Sequence, residues 1–102
     1  MGNAMKRKAT AGEKRHMAKV ARMGCIVCEM LGYPGMPAEV HHVRMEVGWG
    51  RDGHFNTIPL CMEHHRGNTG IHMMGRNRFA EMYGYGEREL LAFVNARLGR
   101  KP

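Results

Sequence analysis

The sequence predicts a small α+β domain in which two short strands and a short helix are flanked by N-terminal and C-terminal helices. Three observations carry that expectation. Apolar residues recur at helical spacing near both ends of the chain. Residues 38–45 and 57–60 read as strands separated by a glycine-rich segment. The three cysteines stand at junctions between elements, with a histidine closing the last of them. At 102 residues the chain is long enough for one domain.

The elements follow in order. Residues 1–12 read as a disordered basic arm and residues 13–102 as the single domain. Thr10 to Glu13 can form a capping box, weakened by Gly12 within it. A helix is expected over 13–23, with Met17, Val20, Ala21 and Gly24 on its packed side and Gly24 as its C-terminal cap. Cys25-Ile26-Val27-Cys28 reads as a tight knuckle and "LGYPGMP" (31–37) as a turn-rich loop. The strand over 38–45 follows. "VGWGRDGHFN" (47–56) reads as a long loop and "TIPL" (57–60) as the second strand, where Pro59 argues for an edge. A helix starts near Cys61 and stops by Gly67. Two closing helices occupy 75–83 and 87–98, the last presenting Leu90, Leu91, Phe93, Val94 and Leu98 as a core stripe. No internal repeat is visible.

Bulky apolar residues are thin and methionine is abundant, at 11 of 102 residues. A domain this small often needs a metal or a disulfide to complete its stability. The cysteine count is odd, the basic N-terminal segment lacks the apolar core of a signal peptide, and no stretch is apolar enough to span a membrane. These features favour reduced thiolates holding a metal in a cytoplasmic protein. The net charge is +7, and seven of the basic residues lie in the first 23 positions against Glu13 alone. Lys6, Arg7, Lys8, Lys14 and Arg15 therefore form a basic arm and helix suited to a polyanion, most simply nucleic acid. The same run also suits a merely solubilising tail.

Cys25 and Cys28 form a C-x-x-C pair, and Cys61 and His64 a C-x-x-H pair, separated by 32 residues. Together they make a Cys3His set that suits a closed, structural Zn2+ tying the N-terminal helix to the later strand–helix unit. His65 cannot easily join it, because adjacent helical residues point about 100° apart. A second site on the same helix is therefore expected, drawn from His41, His42, Asn56, His65 and His72. His54 is a weaker candidate in the glycine-rich loop.

The stretches "EVHHVR" (39–44) and "NTIPLCMEHH" (56–65) resemble the HNH endonucleases, also called ββα-metal or His-Me finger nucleases. That likeness covers roughly residues 25–72. A narrower one, in "MGCIVC", "HH", "TIPLC", "HHRG", "GIH" and the terminal "YG…ELL", is to the phage recombination-enhancement nucleases, the Ref-like, recombinase-dependent family. It extends over nearly all of the chain after the arm. The resemblance implies a small ββα-metal core braced by zinc. It also implies His42 as general base, His41 as first metal ligand and His65 as helix ligand. Asn56 then braces the hairpin and orients the base. Adjacent strand residues face opposite ways, so the roles of His41 and His42 are exchangeable at this stage. Thr69 occupies a position where some relatives carry a further ligand; His72 substitutes if the helix breaks at Gly67 or Gly70.

On this resemblance the expected activity is metal-dependent hydrolysis of DNA phosphodiester bonds by a phage-encoded enzyme. Mg2+ or Mn2+ is the working ion at His41, His65 and His72. The partners are DNA and a RecA-type recombinase filament or displacement loop in the bacterial cytoplasm, with no membrane. Arg44, Arg66, Arg76 and Arg78 are candidate phosphate contacts, each also readable as an ordinary surface arginine. The alternative is a non-catalytic zinc module binding DNA or protein. A zinc deaminase is excluded because its H-x-E followed by P-C-x-x-C is absent. A two-Cys, two-His finger is excluded by the long gap between the pairs.

Overall fold

A computed structural model describes residues 8–44 and 53–100. Two antiparallel strands, β1 (Glu39–His42) and β2 (Thr57–Leu60), are surrounded by helices. Helices α1 (Ala11–Arg22) and α2 (Ile26–Met30) precede β1, and a 3-10 turn at Gly53–Phe55 leads into β2. Four more helices follow: α3 (Met62–Arg66), α4 (Ile71–Met74), α5 (Arg76–Tyr83) and α6 (Glu87–Arg97). The expectations for residues 1–7, for the end of the 38–45 strand and for most of the 47–56 loop lie outside the described residues. Among those described, no helix is long and apolar enough to cross a membrane.

Helix α1 starts where its capping box dictates. The Thr10 hydroxyl accepts from the Glu13 amide at 3.1 Å, and the Glu13 carboxylate accepts from the Thr10 amide at 2.7 Å. Ala11 and Gly12 therefore belong to the helix and not to an arm. Its inward face is Glu13, His16 and Val20, with Met17 and Ala21 at the margin, so the packed side is rotated from the expected one. The His16 ring packs against Phe55, 5.2 Å between centroids, which docks α1 onto the 3-10 turn. Gly24, at φ +82°, turns the chain out of α1. A Cβ there would lie 3.1 Å from the Gly35 backbone, so this position admits only glycine without rearrangement.

Strand β2 lies at the centre of the domain. All four of its residues are buried, and α1, α2 and α6 all pack on it. Pro59 sits opposite Val40 and is fully buried. In a two-stranded sheet its missing N–H disrupts no third strand. Val20, Val27, Ile58, Leu60, Phe79, Leu90 and Val94 fill the core. Phe93 does not join them: it is 46% exposed and stacks edge-on with Tyr85. Leu90, Leu91, Val94 and Leu98 fall in one arc at 100° per residue, and Phe93 falls outside it.

Helix α4 was not expected from the sequence. Glu63 accepts from the Thr69 amide at 3.0 Å and from its hydroxyl at 2.7 Å, and Tyr83 donates to the Thr69 carbonyl at 2.8 Å. A Cβ on Gly70 would stand 2.6 Å from the Glu63 carbonyl, so the missing side chain lets the chain fold back against α3. Phe79 anchors the closing helices and has no solvent exposure. Phe79→Ala is expected to cost about 3–5 kcal/mol in urea unfolding, a large share of the stability of a domain this size. A cost under about 1 kcal/mol would contradict this packing.

Candidate functional site

Two clusters of metal-ligating side chains lie on either side of α3. The first gathers Cys25, Cys28, Cys61 and His64, with the four ligand atoms within 4.8 Å of one another. Its two halves are built alike. Cys25 caps α2 and its sulfur accepts from the Cys28 amide at 3.3 Å; Cys61 caps α3 and its sulfur accepts from the His64 amide at 3.4 Å. Each x-x spacing thus puts the second ligand one turn above a sulfur that caps the helix. The Cys28 and Cys61 sulfurs are 3.6 Å apart, and His64 Nδ1 lies 3.5, 3.5 and 3.2 Å from the sulfurs of Cys25, Cys28 and Cys61. A tetrahedron with Zn–S bonds of about 2.3 Å has S···S edges of about 3.8 Å, so the donors fit zinc. Burial and the neighbouring Cys25 and Cys61 sulfurs push the Cys28 thiol up to about 12. Cys28, crowded by two further sulfurs, is not readily ionised without a cation. Burial lowers the pKa of His64, which keeps it neutral and able to ligate. This set can hold a metal ion such as zinc.

The second cluster is His41, His65 and His72, again with ligand atoms within 4.8 Å of one another. His65 follows His64 directly, and the helical step turns its ring from the cysteines toward β1. Helix α4 carries His72 back to it: the two Nε2 atoms are 3.0 Å apart. That spacing is close to the edge of an octahedron with bonds of about 2.1 Å. His65 Nδ1 donates to Glu39 at 2.8 Å, so its Nε2 carries the lone pair that faces His72. Arg66 makes a bidentate contact with the same carboxylate, and Arg66 and then His65 lower Glu39 to about 2. Burial, with the charges of His65 and His41, lowers the pKa of His72. His41 is buried at 6% exposure, and its Nε2 donates to Glu87 at 2.9 Å.

His42 is exposed and stands apart from this trio, with its Nε2 3.1 Å from His54 Nδ1. Burial of part of the ring, then His54 and His41, lowers its pKa, which favours the neutral imidazole. Strand alternation would send His41 and His42 to opposite faces, but β1 ends at His42, and both residues line one cleft of about 650 Å3. The cleft also takes in His65, His72, Arg44, Arg76 and Glu87. Asn56 braces the hairpin through its main chain, its carbonyl accepting from the Val43 amide at 2.8 Å. The side chain within hydrogen-bond distance of His42 is that of His54.

The basic candidates separate. Lys6 and Arg7 lie outside the described residues; Lys8, Lys14, Arg15 and Arg78 are exposed and do not line the cleft. Arg66 is committed to Glu39, whereas Arg44 and Arg76 border the cleft, Arg76 also ion-paired with Glu87 at 3.6 Å. The carboxylates Glu39 and Glu87 were not singled out from sequence. Glu39 was findable, since residues two apart on a strand share a face and it precedes His41 by two. Glu87 is 46 residues from its histidine and carries no local signal.

One equivalent of zinc is expected to survive dialysis, and a strong chelator or Cys28→Ser should remove it and unfold the domain, read by far-UV circular dichroism with metal analysis. A chain that keeps its helical signal after losing zinc would contradict a bracing ion at this set.

A family model described as "recombination enhancement, RecA-dependent nuclease" matches residues 9–98. No curated protein matches the chain. The match runs from the cap of α1 to the end of α6 and contains both clusters, and the chain belongs to the recombination-enhancement, RecA-dependent nuclease family.

Proposed function

We propose that this chain is a metal-dependent DNA endonuclease of the HNH type, with Cys25, Cys28, Cys61 and His64 holding a structural Zn2+. His41, His65 and His72 hold the working ion, Mg2+ or Mn2+. The observation that carries the reading is the single cleft lined by that three-histidine set together with a separate imidazole, His42, at the end of β1. Phosphodiester hydrolysis needs two such parts: a proton acceptor for water, and relief of charge on the phosphate.

In this reading His41 faces the ion and His42 the water. An imidazole held below its usual pKa near ~6.5 is unprotonated at neutral pH and ready to accept a proton. His54, 3.1 Å away, fixes the orientation of the His42 ring and leaves its other nitrogen for the water. The Asn56 carbonyl holds the end of β1 to the turn before β2, which fixes the height of His42 above the cleft. Arg44 and Arg76 border the cleft and draw the phosphate toward it. A divalent ion at the three histidines supplies Lewis-acid polarisation of the phosphate and charge relief at the departing 3′-oxygen.

The family's RecA dependence supports DNA as substrate and a recombinase filament as the element that presents it. The finer substrate we propose is a displacement loop or other filament-bound strand. Arg15, Lys14 and the basic residues before α1 hold its backbone without reading its sequence.

The test is nicking of supercoiled plasmid and of a RecA-formed displacement loop with Mg2+ or Mn2+. The parent chain is compared with His42→Ala. Loss of the general base is expected to lower the rate about 10²–10⁴-fold with zinc content unchanged. Equal rates in the two proteins would remove His42 as the base. Absence of cleavage by the parent under every condition would favour a non-catalytic zinc-braced binding module.

A further inference from the structure

Two acidic side chains stand behind the histidines of the second cluster, and they are not equivalent. Glu39 is partly exposed and divides its carboxylate between His65 and Arg66. Glu87 is 5% exposed, at the first position of α6. Its Oε1 accepts from His41 Nε2 at 2.9 Å. Its Oε2 is buried and has no hydrogen-bond partner among the described residues; Arg76 Nη1 is 3.6 Å away.

A carboxylate buried this deeply is costly unless something specific uses it. Capping of α6 does not account for it, because Glu89 already accepts from the Gly86 amide at 2.8 Å. Favourable interaction with the helix N-terminus does not account for it either, since an exposed side chain at the same position would gain that. The ion pair with Arg76 is long, at 3.6 Å, and engages Oε2 alone; Oε1 lies at the cleft and is aimed onto His41.

We propose that Glu87 is a positioning residue for the ion at His41, His65 and His72: it accepts the Nε2–H of His41, so that the Nδ1 lone pair is left for the ion. The inference rests on the reading of those three histidines as a metal site. Glu87 is not among the mutually close ligand atoms of the cluster, so it acts through His41. Glu39 does the converse for His65, accepting Nδ1–H and leaving Nε2. The two carboxylates thereby hold two imidazoles in opposite tautomers, each fixed before an ion arrives, and each adds negative charge behind its ring.

The experiment measures Mn2+ affinity of the zinc-loaded protein by electron paramagnetic resonance titration, for the parent chain, Glu87→Ala and Glu87→Gln. Zinc content and circular dichroism report folding, and imidazole 15N spectra of the parent and the variants report the His41 tautomer. Glu87→Ala is expected to weaken Mn2+ binding about 10–100-fold and to lose the single Nε2–H form. Glu87→Gln keeps an acceptor oxygen without the charge, so it should retain the tautomer and fall between the other two. Unchanged Mn2+ affinity in Glu87→Ala with zinc retained, or an Nδ1–H tautomer in the parent, would overturn the role of Glu87 alone. If Glu87→Ala does not fold, Glu87→Gln decides, and parent-like Mn2+ affinity there would overturn it. A parent chain that takes up no Mn2+ would remove the second site itself, and this proposal with it.

Discussion

Successive residues on a helix point about 100° apart, and that step between His64 and His65 organises the molecule. One ring joins three cysteines from the two capped knuckles; the next joins His41 on β1 and His72 on α4. A helix of five residues does not persist by itself. Helix α3 is held by Cys61 at its start, by the Glu63–Thr69 contacts at its end and by a ligand set on each side. Rotating it would break both clusters together, so anything that fixes the first also aims the second.

The two sets differ in what surrounds their donor atoms. The first is rich in sulfur, with four donors at the spacing of a closed tetrahedron. The cost of ionising Cys28 there would give a bound cation a direct part in stability. The second offers three imidazoles, each neutral when it ligates, so an ion held there would keep its charge and would have coordination positions to spare. Those properties suit a phosphate, and on the proposed function they divide the labour between scaffold and chemistry. Among the described residues, Glu39 and Glu87 are the carboxylates that hydrogen-bond to the second set. Neither belongs to the mutually close set, and each meets one of its histidines by a hydrogen bond to the ring.

Much of this was legible before any coordinates, for physical reasons. The paired spacings C-x-x-C and C-x-x-H require a turn or a helix start, and the first cysteine of each pair is a helix cap. The Thr10–Glu13 box marks the start of α1 despite Gly12. What depended on tertiary packing was less visible. The inward face of α1 includes Glu13 and His16, because capping satisfies the first and Phe55 covers the second. Phe93 looked like core by type but is excluded by its angle. Helix α4, and with it the approach of His72, depends on Gly70 having no side chain to collide with α3. Hydrophobic periodicity does not register such a contact. The partnership of Glu87 with His41 is the extreme case, joining residues 46 positions apart.

Membership in a RecA-dependent nuclease family agrees with a chain whose basic residues concentrate at one end and whose cleft holds imidazoles and arginines together. The central claim is that neighbouring histidines of α3 serve two separate ions. A crystal structure with anomalous data above and below the zinc edge, from crystals soaked in Mn2+, tests it most directly. Zinc is expected at His64 with the three cysteines, and a distinct manganese peak at His65 with His41 and His72. A single peak shared by His64 and His65, or a His65 ring turned away from both, would contradict it.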